Sequence, residues 1–295
     1  IPDSAAVNEA VKIASRISHQ GTKGFVNGLL RSVSRGKEKL SYPDPEKDPT
    51  NYLAYRYSFP QWMVKMWLTE WGFAHAEKLC AAFTGSPAVS LRVNTLKTTF
   101  EALRDHFAGK GAVVQGGRFA PDVMVVQPGY LAIEDPLLDQ GAYYIQDEGS
   151  ALIAHALEPQ PGELIYDLCS APGGKTTHIA QLMEDQGQIV AFDVSPDRLA
   201  KVDENKFRLG ISIIQTRVAN SAEPMAMKPA HGVLVDAPCS GLGTMGHRPD
   251  IRWRKSLDDI TDLAALQRQI MTTAAGLVRP GGRLVYYTCT ITQAE

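Results

Sequence analysis

The fold of this chain is decided by the stretch Asp167-Leu168-Cys169-Ser170-Ala171-Pro172-Gly173-Gly174-Lys175-Thr176. Residues 162–166 before it form a short apolar run that predicts a strand, and residues 177–183 after it predict a helix. Glycines let the backbone approach a ligand closely, because they lack a side chain and tolerate positive φ angles. A strand, a turn of small residues and a helix N-terminus together form a site for a ligand with polar or anionic groups.

Two common nucleotide-binding motifs fit this stretch incompletely. A phosphate-binding P-loop ends in Gly-Lys-Thr, as Gly174-Lys175-Thr176 does, but it also needs a glycine where this chain has Cys169. The Gly-x-Gly-x-x-Gly pattern of dinucleotide-binding proteins is missing as well. What remains is a Rossmann-like first turn of the kind that binds S-adenosylmethionine.

Length and composition predict an ordinary soluble protein of two or three domains. The chain has 295 residues, of which 44% are hydrophobic, and no apolar run is long enough for a transmembrane helix. No signal sequence is recognisable at the N-terminus, which predicts a cytoplasmic protein. The four cysteines are widely spaced without a C-x-x-C pair, so we expect reduced thiols and no bound metal.

The charge is unevenly distributed along the chain. Residues 1–42 carry a net charge of +4, while the whole chain carries −2. A basic N-terminal segment on an acidic body suits an anionic partner such as RNA. A solvated helix face would give the same charge, so both interpretations stay open at this point.

Hydrophobic periodicity divides the chain into four parts. Residues 1–42 predict two amphipathic helices, over 5–18 and 25–33, broken at 21–24 and too few to build a core. Their apolar faces, predicted to face inward, consist of Val7, Ala10, Val11, Ala14 and Ile17 in the first helix and Phe25, Val26, Leu29, Leu30 and Val33 in the second. Prolines and charges predict a linker over 43–50. Residues 51–141 predict a small α+β domain that begins with two helices, over 61–71 and 74–83. We assign the aromatic stripe of the first helix to the core, namely Trp62, Met63, Met66, Trp67 and Leu68. Residues 142–295 form the fourth part.

In this last part strands alternate with helices. The predicted strands are 163–168, 188–193, 212–218, 232–236 and 283–288, and the helices between them are 176–183, 198–209 and 263–278. Such alternation predicts a parallel, doubly wound α/β sheet. Ligands of such sheets bind beyond the carboxyl ends of the strands. Polar or thiol side chains stand at or just past these ends, namely Asp167, Asp193, Asn220, Asp236 and Cys289.

Three of these strand ends suggest chemistry. An acid at the end of the second strand, Asp193, can accept hydrogen bonds from both ribose hydroxyls of an adenosine ligand, although it can also be the N-cap of the following helix. Asp236-Ala237-Pro238-Cys239 and Tyr287-Thr288-Cys289 each place a thiol after a strand. One such cysteine is usually inert, but two thiols facing one pocket indicate a reaction.

These motifs resemble the RsmB (Sun/Fmu) branch of the RNA cytosine-5 methyltransferases. The resemblance rests on residues 167–176, 236–239 and 288–289, on Gln146-Asp147-Glu148-Gly149-Ser150 and on His247-Arg248-Pro249-Asp250-Ile251-Arg252-Trp253, and it covers nearly the whole chain. Residues 5–35 resemble the final helices of the NusB-like RNA-binding domain of that branch. The resemblance implies a fragment truncated at both ends, because the family continues beyond Glu295.

The resemblance implies a role for each site residue. Cys289 is the nucleophile that adds to carbon 6 of cytosine, Cys239 promotes release of the product, Asp236 hydrogen-bonds the base, and Lys175 lowers the pKa of the nearby thiol. S-adenosylmethionine is the cofactor. Its methionine part lies on Cys169, Ser170, Ala171, Pro172, Gly173, Gly174 and Lys175, its ribose on Asp193 and its adenine on Asn220, with Asp236 also lining its site.

The implied partner is small-subunit (16S) rRNA, methylated by a monomer without a metal ion. Two residues depart from the family pattern, since Ser170 replaces an alanine and Asn220 replaces an acid. Asparagine can still accept a hydrogen bond through its carbonyl oxygen. Two alternatives stay open, a tRNA cytosine-5 methyltransferase of the same superfamily and a catalytically silent RNA-binding assembly factor.

Overall fold

The computed structural model describes residues 2–85 and 87–295, which divide into two compact units at residue 81. The first unit is helical and contains α1 (Asp3–Ile17), α2 (Gln20–Gly36), α3 (Pro49–Tyr57) and most of α4 (Gln61–Thr84). A kink at Gly72 (φ 72°, ψ 174°) divides α4 close to the boundary between the two helices predicted for this region. Met63 and Trp67 of the aromatic stripe are fully buried, as predicted.

The helix break predicted at residues 21–24 is wrong. The chain leaves the helical conformation at Ser18 and His19, and the His19 side chain caps α2 by accepting a hydrogen bond from the Gly21 amide at 3.2 Å. The two glycines of the predicted break therefore lie inside the first turns of α2. A side-chain cap of this kind supplies an acceptor for an otherwise unpaired amide at the helix start.

The apolar faces of these two helices are only partly covered. Val7 and Ala14 of α1 are buried, as predicted. Ile17 and Phe25, which were also expected to face inward, are 79% and 68% exposed. Two helices offer too few neighbouring surfaces to bury both apolar stripes.

The second unit begins with an antiparallel sheet of four strands. Its elements are β1 (Val89–Val93), α5 (Phe100–Gly109), β2 (Val113–Gly116), β3 (Val123–Gln127), α6 (Tyr130–Ile133), α7 (Pro136–Asp139) and β4 (Tyr143–Ile145). The strand order is β2-β3-β1-β4. Leu91, Met124 and Phe107 pack in the core between this sheet and α5.

A parallel sheet of five strands follows. Its elements are α8 (Glu148–Leu157), β5 (Leu164–Asp167), α9 (Gly174–Leu182), β6 (Gln188–Asp193), α10 (Pro196–Leu209), β7 (Ile214–Val218), β8 (Ala230–Asp236), α11 (Ile251–Arg254), α12 (Leu257–Leu277) and β9 (Val278–Tyr287). The strand order is β7-β6-β5-β8-β9, and every pair is parallel. The predicted doubly wound, Rossmann-like sheet is therefore confirmed.

Both faces of the parallel sheet are buried, which explains its apolar strands. One face packs around Ile165 and Ile189 against α9 and α10, and the other packs around Tyr166 and Phe192 with Ile270 of α12. Among the helices of residues 2–85 and 87–295, none combines the length and apolar composition needed to cross a membrane.

Buried polar groups join the antiparallel sheet to the parallel one. The guanidinium of Arg92 on β1 is fully buried and donates to the Gln146 side chain, to the Gly174 carbonyl at 2.6 Å and to the Thr177 hydroxyl at 3.1 Å. Asn94 donates to the Gly141 carbonyl at 2.7 Å and also to the carbonyl of Leu209 at the end of α10. The first turn of α9 is thus held from the antiparallel sheet.

A second link joins Asp122, which precedes β3, to two helices of the parallel sheet. Its two carboxylate oxygens lie 2.9 Å from His155 Nε2 and 2.6 Å from His178 Nε2. Burial acts to raise the pKa of Asp122, but the hydrogen bonds from both imidazoles outweigh it and hold that pKa well below its usual range. Burial lowers the pKa of His178 to about 4, so this imidazole stays neutral near pH 7.

Asp167, the last residue of β5, is a buried acid in an apolar sheet. Thr176 donates to its Oδ2 at 2.7 Å, and Oδ1 has no hydrogen-bond partner within the described part of the chain. Burial raises the pKa of Asp167 to about 7, against the smaller opposing effect of the Thr176 hydrogen bond. The folded protein therefore binds a proton that the unfolded chain releases near pH 4.

Replacing Asp167 by asparagine should stabilise the protein at pH 8 but not at pH 4. The folded pKa lies above the unfolded one, so the stability contributed by the protonated acid is present below pH 4 and is lost as the pH rises through 7. The neutral amide of the variant carries no such penalty. At pH 8 its free energy of unfolding should therefore exceed that of the wild type by roughly 4 kcal/mol. Urea unfolding of both proteins from pH 4 to 8 measures this difference.

Comparing the two proteins cancels the opposite contribution of His178, whose lowered pKa makes stability rise with pH over the same range. Asp105→Asn, at an exposed site, serves as the control. Its free energy of unfolding should differ from that of the wild type by the same amount at every pH. An Asp167→Asn difference that does not change with pH would contradict the assigned protonation.

Candidate active site

The turn between β5 and α9 is shaped by close backbone packing. Gly173 is the N-cap of α9 with φ 101°, and a Cβ atom there would lie 3.2 Å from the Cα atom of Val202 on α10. The amide and hydroxyl of Ser170 both donate to the Phe192 carbonyl, at 2.8 and 3.0 Å. The sequence Ser170–Gly173 thus presses the turn against β6 and α10, and no larger side chain fits at Gly173 without strain.

A cavity of about 590 Å³ opens beside this turn at the carboxyl ends of the strands. Its volume is in the range of sites that bind drug-sized ligands. The predicted cofactor residues on its wall are Cys169, Ala171, Pro172, Asp193, Asn220 and Asp236. Ser170, Gly173 and Gly174 shape the turn behind this wall. The cavity is therefore lined by two acids, an amide and a turn of small residues, and these polar groups fit an adenosine with an amino-acid group.

Asp193 presents a buried carboxylate at the end of β6. Its Oδ1 accepts from the Ser195 amide at 3.0 Å, and its Oδ2 lies 3.4 Å from Arg198 Nη1. The helix α10 is capped by Ser195, whose hydroxyl accepts from the Arg198 amide. The alternative that Asp193 is the N-cap is therefore wrong, and its carboxylate lines the cavity instead.

Asn220 lies two residues beyond β7 and is exposed while lining the cavity. Its carbonyl oxygen accepts from the Ala222 amide at 3.1 Å, and its amide group donates to Glu223 at 2.8 Å. A carbonyl oxygen has two lone pairs, so one acceptor position at Asn220 stays available to a ligand.

The two predicted catalytic thiols meet at the same cavity. Cys239 follows β8 and Cys289 follows β9, the neighbouring strand, and their sulfur atoms are 3.3 Å apart. A hydrogen bond from Cys239 lowers the pKa of Cys289 to about 7, against the effect of burial. The same contact raises the pKa of Cys239, which keeps its proton. Near pH 7 the thiolate form thus belongs to Cys289.

Lys175 and Asp236 connect the turn between β5 and α9 (residues 169–174, the cofactor turn) to the two thiols. Lys175 Nζ lies 2.7 Å from Asp236 Oδ2 and 4.6 Å from the centre of the Tyr287 ring. The Lys175 side chain is only 11% exposed. The Asp236 carboxylate raises the pKa of Cys289, and the Lys175 charge, which has the smaller effect of the two, lowers it.

The residues that tie the two sheets were not found from the sequence. Asp122, His155 and His178 lie far apart in the chain, and no spacing motif connects them. Within the described residues they could also hold a metal ion, since their ligand atoms lie within 4.8 Å of one another. The absence of a metal stays a prediction. Arg92 gave no sequence signal either, because residues 89–94 alternate apolar and polar like a half-buried strand, whereas both faces of β1 are buried in the structure.

Comparison with known proteins agrees with this architecture. The family model described as 16S rRNA methyltransferase RsmB/F matches residues 154–295, a ferredoxin-like domain of RsmF/B-like methyltransferases matches 59–130, and the NusB family matches 1–35. The crystal structure of PH0851 superimposes with a TM-score of 0.84 at 32% identity, covering 99% of this chain and 65% of that one.

Two curated relatives match the full length of this chain. Both are named probable ribosomal RNA small subunit methyltransferase B, one from Bacillus subtilis and one from Synechocystis, and both are 39% identical. The chain spans 66% and 67% of their lengths. S-adenosylmethionine is the methyl donor of this family, so the predicted cofactor is confirmed. With its resemblance borne out over the whole length, the chain belongs to the RsmB/F family of 16S rRNA methyltransferases.

Proposed function

We propose that this protein methylates carbon 5 of a cytidine in small-subunit rRNA, using S-adenosylmethionine and a covalent adduct with Cys289. The observation that carries the proposal is the 3.3 Å contact of Cys239 and Cys289 on the cavity that the cofactor turn and Asp193 also line. The names of the curated relatives support rRNA as the substrate.

The thiol pair suits the difficulty of the reaction. Carbon 5 of cytosine is a weak nucleophile, and addition of a thiolate at carbon 6 makes it reactive by turning the ring into an enamine. Cys289 forms the sulfur–carbon bond, because its lowered pKa of about 7 makes the thiolate available at neutral pH. Asp236, on the same cavity, can hydrogen-bond the ring nitrogen and amine of the base.

The remaining cavity residues hold the methyl donor. Asp193 fits the ribose hydroxyls, Asn220 the adenine, and the turn from Cys169 to Gly174 the methionine part. When bound, the cofactor supplies an activated methyl group on a sulfonium. These residues bring that methyl group to carbon 5, so their contribution is mainly orientation.

Release of the product involves the second thiol. After methyl transfer the proton on carbon 5 is lost to solvent, the bond between Cys289 and carbon 6 breaks, and the carbon 5–carbon 6 double bond re-forms. The Cys239 thiol, 3.3 Å from the departing sulfur, can donate a hydrogen bond to the thiolate as it leaves. Cys239 thus favours elimination over persistence of the adduct.

The two thiols should give opposite trapping results. Cys239→Ala should accumulate a covalent RNA adduct, because elimination slows while addition continues. Cys289→Ala should form no adduct and lose methylation by roughly 10³-fold or more. Denaturing gel electrophoresis with labelled rRNA fragment detects the adduct, and transfer of a labelled methyl group measures activity.

Cys169→Ala is the matched control, since this third thiol lines the same cavity but burial raises its pKa. It should release its product without accumulating an adduct. Normal methylation by both Cys239→Ala and Cys289→Ala would contradict the mechanism. A wild-type protein that binds rRNA but never methylates it would favour the assembly-factor alternative, and preference for a tRNA transcript would identify the other substrate.

Two cations on the cavity wall are suited to an RNA backbone. Arg248 and Lys255 line the cavity, and neither has a carboxylate within 4.0 Å in the part of the chain that the structure describes. Arg248 is exposed and Lys255 is partly buried, so both lie where the cavity meets solvent. Positive charges at this position can contact phosphates that flank the target nucleotide.

Arg248→Gln and Lys255→Gln should each weaken rRNA binding and its salt dependence. Loss of one phosphate contact lowers the slope of log K against log salt concentration by about 0.7 for single-stranded RNA. Fluorescence anisotropy of a labelled rRNA fragment, titrated at salt concentrations from about 50 to about 300 mM, measures this slope.

Arg268→Gln is the matched control for both variants. Arg268 is an exposed cation on α12, two residues from both Leu266 and Ile270, which line the cavity, and therefore on the opposite face of the helix. Its slope should equal that of the wild type. Equal slopes for all four proteins would remove Arg248 and Lys255 from the RNA-binding surface.

A further inference from the structure

One carboxylate outside the proposed chemistry contacts both thiol-bearing loops. Glu295 Oε1 accepts from the Ser240 amide at 2.7 Å, and its Oε2 accepts from the Ser240 hydroxyl at 2.6 Å. The hydroxyls of Thr290 and Thr292 lie 3.2 and 2.9 Å from Oε2. Gln267 of α12 donates to Oε1 at 3.2 Å. Donors from two loops and one helix thus converge on one side chain.

The two loops concerned are those that carry the thiols. Ser240 directly follows Cys239, and Thr290 directly follows Cys289. The Ser240 and Thr290 hydroxyls are also 2.7 Å apart, so each lies within hydrogen-bond distance of the other and of Glu295 Oε2. We propose that Glu295 is a positioning residue that holds the Cys239 and Cys289 loops at the spacing where their sulfur atoms meet. The effect of Glu295 on methylation rests on the proposed function, whereas its hydrogen bonds to the two loops do not.

A carboxylate is the group that this position requires. Both oxygens of Glu295 accept hydrogen bonds, and an ionised carboxylate is an acceptor at both. A glutamine would place its NH2 group, which is a donor, against either the Ser240 amide or the hydroxyls, so the hydrogen bonds on one side would be lost. Substitution by glutamine therefore weakens the link while leaving size and shape nearly unchanged.

Another contact limits how far the loops can separate. The Gly243 amide donates to the Cys289 carbonyl at 3.0 Å, and a Cβ atom on Gly243 would lie 2.7 Å from that oxygen. Loss of Glu295 should therefore loosen the loops rather than unfold the site. The sulfur–sulfur hydrogen bond, which depends on a few tenths of an ångström, is the contact expected to fail first.

The positioning role and a simple charge effect predict opposite changes in the reactivity of Cys289. Without its hydrogen bond from Cys239, the Cys289 thiolate is less stable and its pKa rises. Removal of a nearby negative charge alone would instead lower the pKa of the thiol. The direction of the change in Glu295→Gln thus separates the two explanations.

Alkylation by iodoacetamide measures this direction without RNA or cofactor. The full chain is alkylated across pH 5–10, and the Cys289 peptide is quantified by mass spectrometry. In the wild type the midpoint of the curve of alkylation rate against pH should lie near pH 7, because the pKa of Cys289 is about 7. In Glu295→Gln the midpoint should rise by about one pH unit or more, which is at least about a fivefold loss of thiolate at pH 7.

Two further variants keep the test decisive if Glu295→Gln folds poorly. Ser240→Ala removes the hydroxyl link next to Cys239 and should raise the midpoint in the same direction. Thr292→Val removes a donor to the same carboxylate that is not adjacent to either thiol, and its midpoint should stay within about 0.3 units of the wild type. Circular dichroism confirms that each variant is folded.

A midpoint that falls or stays unchanged in both Glu295→Gln and Ser240→Ala would overturn the positioning role. In the methylation assay, Glu295→Gln should lower kcat about fivefold at pH 7 with little change in KM for S-adenosylmethionine, and raising the pH should restore part of the rate. If the wild type shows no methylation, the proposed function fails while the alkylation result still decides the role of Glu295.

Discussion

The ion pair between Lys175 and Asp236 is the interaction on which both halves of the site depend. Lys175 belongs to the first turn of α9, directly after the cofactor turn, and Asp236 ends β8, three residues before Cys239. Their 2.7 Å contact crosses from β5 to the neighbouring strand of a parallel sheet. Because parallel order brings these strand ends to one edge, the cofactor turn and the thiol loops face a single cavity. A partly buried pair of this kind contributes orientation more than stability.

Buried polar groups also decide how the antiparallel sheet is attached. Arg92 reaches the Gly174 carbonyl and the Thr177 hydroxyl, while Asp122 accepts from His155 and His178. An apolar contact would tolerate sliding of one sheet over the other, but a buried charge has to keep its partners or lose several kcal/mol, roughly 3 to 5 for a broken buried pair. The docking of the two sheets therefore fixes the position of the first turn of α9, and with it that of Lys175.

Much of this architecture could be predicted from the sequence. The strand at 188–193 has its predicted bounds, because a continuous apolar run buried on both faces leaves little ambiguity. The start of α2 was missed, since the cap by His19 competes with the glycine signal. Motifs also brought Cys239 and Cys289 to one pocket in advance. Their sulfur contact, and the partners of Asp122, depend on loop and sheet packing that no local spacing encodes.

The cavity shows how one residue type acquires different chemistry from its surroundings. Burial raises the pKa of Cys169, and the carboxylates of Asp167, Asp236 and Asp193 raise it further, so this thiol is kept neutral beside the cofactor turn. Cys239 and Cys289 share one hydrogen bond, which assigns the proton to Cys239 and the thiolate to Cys289. Once Cys289 has released its proton to solvent, the remaining proton stays on Cys239, so the pair separates into an acid and a nucleophile. In the proposed reaction this division persists only while the loops keep the sulfurs in contact, which makes loop position the limiting constraint on the chemistry.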